Sequence, residues 1–228
     1  GTVRARRRRA LGAIELSSTP VAATAEDTVP AVLSAVRERG LDALTWSDTA
    51  RSLRGRLALI HRELGDSWPA MDEDALLATL ETWLAPHVRT RLDGIDLVSA
   101  LRTLLPWPEA SELDALAPER LPVPSGSTAR IDYPAPDEEG GRPVVAVKLQ
   151  ELFGLADTPR IAGGRQVVKL HLLSPARRPV QVTQDLASFW ANTYAEVKKD
   201  LKGRYPKHYW PDDPLIAEPT ARAKPRGQ

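Results

Sequence analysis

The hydrophobic pattern of this chain changes its period at the segment LPVPSGST, residues 121–128. Before this segment, apolar residues recur every three or four positions, which is typical of α-helices with one buried face. After it, apolar and polar residues alternate, which is typical of β-strands with one buried face. A single element cannot follow both periods, so the sequence predicts helices followed by a sheet. We therefore expect an α+β protein.

The helical segment is predicted to span residues 26–118 and to have a leucine-rich core. Ser47 is the predicted N-cap of a helix that ends at Gly65. The buried stripe of this helix comprises Ala50, Leu53, Leu57, Ile60 and Leu64. The tryptophans expected in the same core are Trp46, Trp68, Trp83 and Trp107.

The alternating segment predicts a domain over residues 119–211, formed by a small antiparallel sheet packed with one long C-terminal helix. In the stretch VVKLHL, the apolar residues Val168, Leu170 and Leu172 share one face. Lys169 and His171 then point to the other face. Antiparallel sheets commonly bury one face and leave the other in water, which is why we favour that arrangement.

The two ends of the chain are predicted to lie outside these domains. Residues 1–25 read as a strand pair, or as one strand with a bulge at Gly12, and so as the end of a truncated β-rich segment. One or two strands are not stable alone, so we expect further strands upstream. Residues 212–228 are polar and proline-rich, which predicts a flexible tail.

Several kinds of chemistry are excluded by residues that the sequence lacks. The chain has no cysteine, hence no disulfide and no thiolate nucleophile or ligand. No apolar run is long enough to span a membrane. The glycines of TPRIAGGRQVVKL lack the lysine–hydroxyl pair of a phosphate loop, and a strand rather than a helix follows them. The histidines have no metal-ligand spacing. We find no catalytic motif and expect no cofactor in this chain.

Charge is distributed unevenly and suggests a nucleic-acid-binding surface. Residues 142–210 contain 12 Lys and Arg against 5 Asp and Glu, whereas the helical segment is acidic. Basic side chains neutralise phosphates, and aromatic rings stack on unpaired bases. The alternative is that the aromatic residues pin the chain end onto the core and the charges only solvate the sheet. The candidate contacts for RNA or single-stranded nucleic acid are Lys148, Arg160, Arg165, Lys169, His171, Arg177, Arg178, Arg204, Lys207, His208, Tyr209 and Trp210.

Several motifs carry a family resemblance. The stretches LPVPSGS, VKLQELFGLADTPRIAGGR, LHLLSPARRPVQVTQDLASFWANTY and LKGRYPKHYWPDDP resemble the C-terminal region of HrpB-type bacterial ATP-dependent helicases of the DEAH-box class. This match runs from about Leu121 to Pro214. The helical stretch TWSDTARSLRGRLALIHRELG resembles the preceding part of that family. ARRRRALGAIEL is similar to the end of its OB-like accessory segment, which binds nucleic acid.

The resemblance implies a parent protein that uses ATP and Mg²⁺ in two motor domains to unwind or remodel RNA. The phosphate loop and the D-E-x-H motif of those motors do not occur in this sequence. We therefore expect a cytoplasmic, non-catalytic accessory region whose partners are RNA and its own motor domains. The alternative is a protein-interaction or structural capping module that docks a protein partner or the motor.

Overall fold

The computed structural model describes residues 5–11, 13–21, 24–89, 92–105, 107, 109–138 and 140–224. The chain divides into two compact units. The first comprises residues 1–61 and 65–111, and the second comprises residues 62–64 and 112–228. The domain boundaries expected from the sequence differ from this division and stay predictions.

The first unit begins with a two-stranded antiparallel hairpin. Its strands are β1 (Ala5–Leu11) and β2 (Ile14–Val21). Ile14 and Leu16 on β2 are 66% and 64% exposed, so the hairpin carries apolar side chains in contact with solvent. The bulge predicted at Gly12 lies outside the described residues.

Helices follow the hairpin, and side-chain caps define where several of them begin. The Ser47 hydroxyl accepts a hydrogen bond of 3.1 Å from the Ala50 amide, which confirms the predicted N-cap. The same helix ends before Gly65, whose φ of 91° lies in the left-handed region that glycine tolerates. In chain order the helices are α1 (Ala25–Arg39), α2 (Asp48–Leu64), α3 (Glu73–Ala78), α4 (Leu80–Trp83), α5 (Leu97–Arg102) and α6 (Glu109–Leu116).

The core of the first unit matches most of the predicted leucine-rich stripe, although Leu64 and Trp46 are only half-buried. Leu57, Ile60 and Trp83 are completely buried. Trp107, which the sequence places in the core, is 84% exposed, and this prediction is wrong. Trp107 stands between two prolines in the connection from α5 to α6. Since it belongs to no helix, no helical period turns its side chain towards the core.

The second unit contains a five-stranded sheet and a separate small two-stranded hairpin. The inner face of the sheet is apolar, with Ile131, Val145, Leu170 and Leu172 buried. The strands are β3 (Arg120–Pro122), β4 (Thr128–Asp132), β5 (Val144–Lys148), β6 (Arg160–Ile161), β7 (Gln166–Val167), β8 (Lys169–Leu173) and β9 (Pro179–Thr183). The strand order in the sheet is β3–β4–β5–β8–β9, and β6 and β7 form the hairpin.

The sheet is mixed, which confirms the α+β class but corrects the prediction of a wholly antiparallel sheet. Strands β5 and β8 are parallel, while the other neighbouring pairs are antiparallel. Parallel neighbours need a long crossover connection, and residues 149–168 supply it. That connection contains a 3₁₀ turn, Leu149–Leu152, and the β6–β7 hairpin. Alternation in the sequence identifies the buried face of β8 but not the direction of the strand, and it fails for β9, where Val182 pairs with His171 on the outer face and is 52% exposed.

The predicted single long C-terminal helix is divided in the structure. Helix α7 (Leu186–Asn192) ends at Thr193, where φ is −119°, and helix α8 (Tyr194–Arg204) follows directly. A β-branched residue favours such a departure from helical geometry. Trp190 and Tyr194, one on each side of the break, pack edge to face with ring centroids 5.4 Å apart.

The tail after α8 contains neither helix nor strand up to residue 224, but it is anchored. Ala217 and Thr220 are 6% and 5% exposed. The Thr220 amide donates to the Gln150 carbonyl at 3.0 Å, and the Tyr209 amide donates to the Ala223 carbonyl at 2.8 Å. The sequence predicts a flexible tail because the tail lacks a periodic apolar pattern. Composition and period carry no information about individual backbone hydrogen bonds such as these two.

Candidate nucleic-acid interface

The outer face of the five-stranded sheet carries basic side chains. In the β5–β8 ladder, Val144 pairs with Lys169, Ala146 with His171 and Lys148 with Leu173. These pairs alternate with the buried pairs of the inner face. The predicted orientation of Lys169 and His171, away from the buried leucines, is therefore confirmed.

Two further arginines, Arg120 and Arg130, extend this basic face, and sequence reasoning missed both. They are direct partners in the antiparallel β3–β4 ladder. The two positions are equally distant from Ser125 in the turn that joins the strands, where Gly126 has a φ of 81°. A hairpin centred on this turn would have placed them opposite each other, so the sequence did contain a usable signal.

A cleft of 530 Å³ opens at this side of the sheet, and four cationic residues line it. We call it the basic cleft and define it by Arg120, Arg130, Lys148 and Arg177. It joins two of the residues predicted from the sequence with the two that were missed. Glu151 is the acidic residue among those lining the cleft.

Hydroxyl groups hold the Glu151 carboxylate in place. Its Oε2 atom accepts a hydrogen bond of 3.0 Å from the Ser125 hydroxyl and a second, short one from the Ser127 hydroxyl. Within the part of the chain that the structure describes, Glu151 forms no ion pair with the cations of the basic cleft. The carboxylate therefore offsets their charge only over longer distances.

Arg177 reaches the basic cleft from a strained position in the β8–β9 turn. Its φ of 60° is left-handed, which costs a non-glycine residue about 1–2 kcal/mol. The turn is closed by two hydrogen bonds of 2.8 Å, from the Arg177 amide to the Ser174 carbonyl and from the Ser174 amide to the Arg178 carbonyl. The chain keeps an arginine where glycine would fit the backbone better.

The charges of the basic cleft are weakly compensated. Arg120 donates from Nε to the Thr128 hydroxyl at 2.7 Å and from Nη2 to the Thr128 carbonyl at 2.8 Å, and both acceptors are neutral. Arg130 pairs with Asp132 at 3.4 Å, but both side chains are more than half exposed, so the pair stabilises little. Among the described residues, Arg120, Lys148 and Arg177 have no ion-pair partner.

Arg160 and Arg165, which flank the glycine pair, have structural contacts. Arg160 donates to the Gly164 carbonyl at 2.9 Å and so closes its own hairpin. Arg165 donates to the Glu63 carbonyl near the end of α2. The intervening Gly163 has a φ of 63°, as expected for a tight turn. Neither arginine lines the basic cleft.

Other basic residues predicted from the sequence are dispersed. Arg178 and Lys207 are exposed, and Arg204 pairs with Asp200 on α8 at 3.2 Å. None of them lines the basic cleft. They can contribute to the positive field of this unit, but the structure does not gather them into one site.

The three residues at 208–210 pack onto the protein. The His208 imidazole lies 3.2 Å from Gln150 Oε1, and burial, together with the charge of Lys148, lowers its pKa. The Tyr209 ring meets Phe153 edge to face at 6.2 Å. Trp210 is only 8% exposed, and its indole N–H donates to the Tyr205 carbonyl at 3.0 Å. A stacking role for Trp210 is therefore wrong, because its ring is not available to a base.

Neither a metal cluster nor a membrane-spanning helix occurs in the described ranges. No group of three or more His, Asp and Glu side chains there could hold a metal ion. None of the helices described above is long and apolar enough to cross a bilayer.

Comparison with known proteins gives a consistent set of relatives. Residues 80–214 match the family model described as ATP-dependent helicase C-terminal. The chain is 44% identical over 231 residues to the ATP-dependent RNA helicase HrpB of Escherichia coli K12, covering 98% of this chain and 28% of that protein. The chain thus spans less than a third of the length of this relative.

Two crystal structures share the fold. One, of the E. coli DExH-box NTPase HrpB, superposes with a TM-score of 0.81 at 44% identity and covers 97% of this chain and 28% of the other. The second, of the E. coli DEAH/RHA helicase HrpB, has a TM-score of 0.68 at 41% identity and covers 90% and 26%.

Proposed function

The chain belongs to the ATP-dependent helicase C-terminal family, and from that premise we propose that it is an accessory region that binds RNA or single-stranded nucleic acid beside a helicase motor. In this proposal the chain is not itself catalytic. The observation that carries it is the basic cleft, in which Arg120, Arg130, Lys148 and Arg177 converge with little compensating charge.

The proposed contacts are electrostatic and made to phosphate. Arginine and lysine neutralise phosphate groups and release counterions, so binding should weaken steeply as salt rises. Phosphate contacts carry no base information, which predicts weak sequence preference. Lys169 and His171 extend the positive surface beyond the basic cleft along β8. Such a surface would hold an RNA strand next to the motor without distinguishing its base sequence.

The remaining parts of a helicase belong, in this proposal, to the longer parent protein. ATP and Mg²⁺ are assigned to its motor domains, because this chain contains no phosphate-loop motif. The relative named as an ATP-dependent RNA helicase is more than three times as long as the matched region. We place the parent in the cytoplasm with RNA as its substrate class.

Fluorescence anisotropy with a labelled single-stranded RNA tests the proposal. Arg130→Gln and Lys148→Gln should each weaken binding and lower the slope of log K against log salt by about 1 per phosphate contact removed. Lys199→Gln, which removes a charge from the exposed side of α8, is the matched control and should change affinity little. Affinity that is indifferent to salt, or unchanged in both cleft variants, would contradict the proposal.

A second function, docking onto the motor or a protein partner, is favoured by the exposed apolar residues of β2. Ile14 and Leu16 face solvent in the first unit. Exposed apolar side chains that lie together mark interaction surfaces. Ile14→Ser with Leu16→Ser should weaken association with the parent's motor domains in calorimetry while leaving RNA affinity unchanged. Equal association in the variant would rule out docking through this hairpin.

A further inference from the structure

We infer that the basic cleft receives the phosphate monoester at an end of an RNA strand. The inference rests on the proposed function and names the part of the RNA that is bound there.

The charge of the basic cleft exceeds what one internal phosphate neutralises. Four cations and one carboxylate line it, and three of the cations form no ion pair among the described residues. An internal phosphodiester carries one negative charge. A terminal phosphate monoester carries about 1.5 to 2 at pH 7 and offers three strong acceptor oxygens. Such a group is therefore the better match for converging arginines.

The arrangement of these cations is a cluster and not a row. Arg120 and Arg130 are opposed in the ladder, which places their Cα atoms about 5 Å apart. Like charges at opposed positions repel, so the pair favours an anion between them. Lys169 does not belong to this cluster, because its ladder partner Val144 lies about 13 Å along β5 from Lys148. A backbone that is tracked by successive diesters would favour evenly spaced cations instead.

The cleft has room for more than a free phosphate ion. Its 530 Å³ lies within the range of about 300–1,000 Å³ that is usual for small-molecule sites. A phosphate together with its terminal ribose fits that size. Glu151, which Ser125 and Ser127 hold in place, supplies an acceptor in the same cleft. Carboxylates in nucleotide sites accept hydrogen bonds from ribose hydroxyls, which suits a phosphate that is attached to its ribose.

The anchored tail completes the lining of the cleft. Ala221 is one of the lining residues, and it lies between two anchored positions. On one side the Thr220 amide is bonded to Gln150, and on the other the Ala223 carbonyl is bonded to Tyr209. The tail therefore forms a fixed wall beside the cations, as suits a site for the end of a strand.

The test compares RNA oligonucleotides of one sequence that carry a 5′-phosphate, a 3′-phosphate or hydroxyls at both ends. Calorimetry with the 228-residue chain at constant salt gives each affinity. We expect one of the phosphorylated ends to bind about tenfold more tightly than the hydroxyl oligonucleotide. The comparison of 5′ and 3′ arms then identifies which end the cleft takes.

Two variants in the β8–β9 turn distinguish binding in the cleft from attraction by the overall positive charge of this unit. Arg177→Gly removes one of the four cationic side chains that line the cleft and fits the left-handed backbone, so folding is retained; it should lower the preference for phosphorylated ends. Arg178→Gln removes an equal charge outside the cleft and should keep the preference while overall affinity falls. Circular dichroism checks that both variants fold.

The outcomes distinguish this inference from the proposed function. Equal, salt-dependent binding of all three oligonucleotides would overturn the inference and leave RNA binding standing. A preference that is undiminished in Arg177→Gly would also overturn it, because the cleft would not be its source. Failure of every oligonucleotide to bind would overturn both.

Discussion

Arg120 and Arg130 are direct partners in the β3–β4 ladder, although they lie ten positions apart in sequence. Like charges at directly opposed positions destabilise an antiparallel pair, so this arrangement is unfavourable in the absence of an anion. One guanidinium is held by the hydroxyl and carbonyl of Thr128, and the other by Asp132. The pair thus keeps two side chains directed towards the basic cleft at the expense of local stability.

Inorganic phosphate should therefore stabilise the protein more than chloride does at the same ionic strength. A ligand that binds only the folded state, present at one hundred times its Kd, raises the free energy of unfolding by about 2.7 kcal/mol. The measurement is thermal unfolding across a phosphate series. In the variant Arg120→Gln with Arg130→Gln, the phosphate effect should shrink to that of chloride, and an undiminished effect would contradict a site at this pair.

Replacing Arg177 by glycine should not destabilise the fold. Glycine removes the strain at a φ of 60°, worth about 1–2 kcal/mol, and gives back about 0.5–1 kcal/mol through the greater freedom of the unfolded chain. The expected change is about 0–1.5 kcal/mol of stabilisation, measured by urea denaturation. Arg178→Gly is the matched control: Arg178 has no left-handed strain to relieve, so this variant should lose about 0.5–1 kcal/mol. Equal losses in both would show that Arg177 is unstrained.

The protonation of His208 should make stability depend on pH. Burial lowers its pKa, with a further contribution from Lys148, so the folded state binds the proton less readily than the unfolded state. The free energy of unfolding is therefore unaffected by His208 above the unfolded pKa of about 6.5. It falls as pH drops from there through the lowered folded pKa. Urea denaturation between about pH 5 and 8 measures this change. His208→Gln should flatten the curve in that window, and a variant curve parallel to the original would contradict the assignment.

Trp210 should contribute to stability and not to base stacking. Trp210→Phe loses the hydrogen bond to the Tyr205 carbonyl and leaves a small cavity, for an expected loss of about 1–3 kcal/mol in denaturant unfolding. Trp107→Phe is the matched control, because that side chain is 84% exposed, and it should change stability by less than about 0.5 kcal/mol. A Trp210→Phe variant as stable as the Trp107→Phe control would show that the burial of Trp210 contributes nothing.

Local features of the fold were predictable because they depend on neighbouring residues. The N-cap at Ser47 and the helix end at Gly65 are read from residue type and position, and both occur. The alternation of VVKLHL correctly separates the buried leucines from Lys169 and His171. The parallel pairing of β5 with β8 was missed, since strand direction depends on the crossover formed by residues 149–168.

The candidate site was only partly predictable for a similar reason. Lys148 and Arg177 were found from composition and alternation, and the structure brings them into one cleft. Arg120 and Arg130 were overlooked because they fall at the start of the domain, where basic residues are sparse in sequence. Trp210 was misjudged because an aromatic residue beside basic residues suggests a stacking platform, and the local sequence does not show whether the ring is buried or exposed.

By itself, the sequence determined the α+β class, the positions of the main helices and strands, and the face of β8 that enters the core. These properties follow from hydrophobic period and capping chemistry, which act over a few residues. Only the tertiary structure decided which cations share a site. Strand register and a left-handed turn bring Arg120, Arg130, Lys148 and Arg177 around one cleft, and register is set by packing between segments that are distant in sequence.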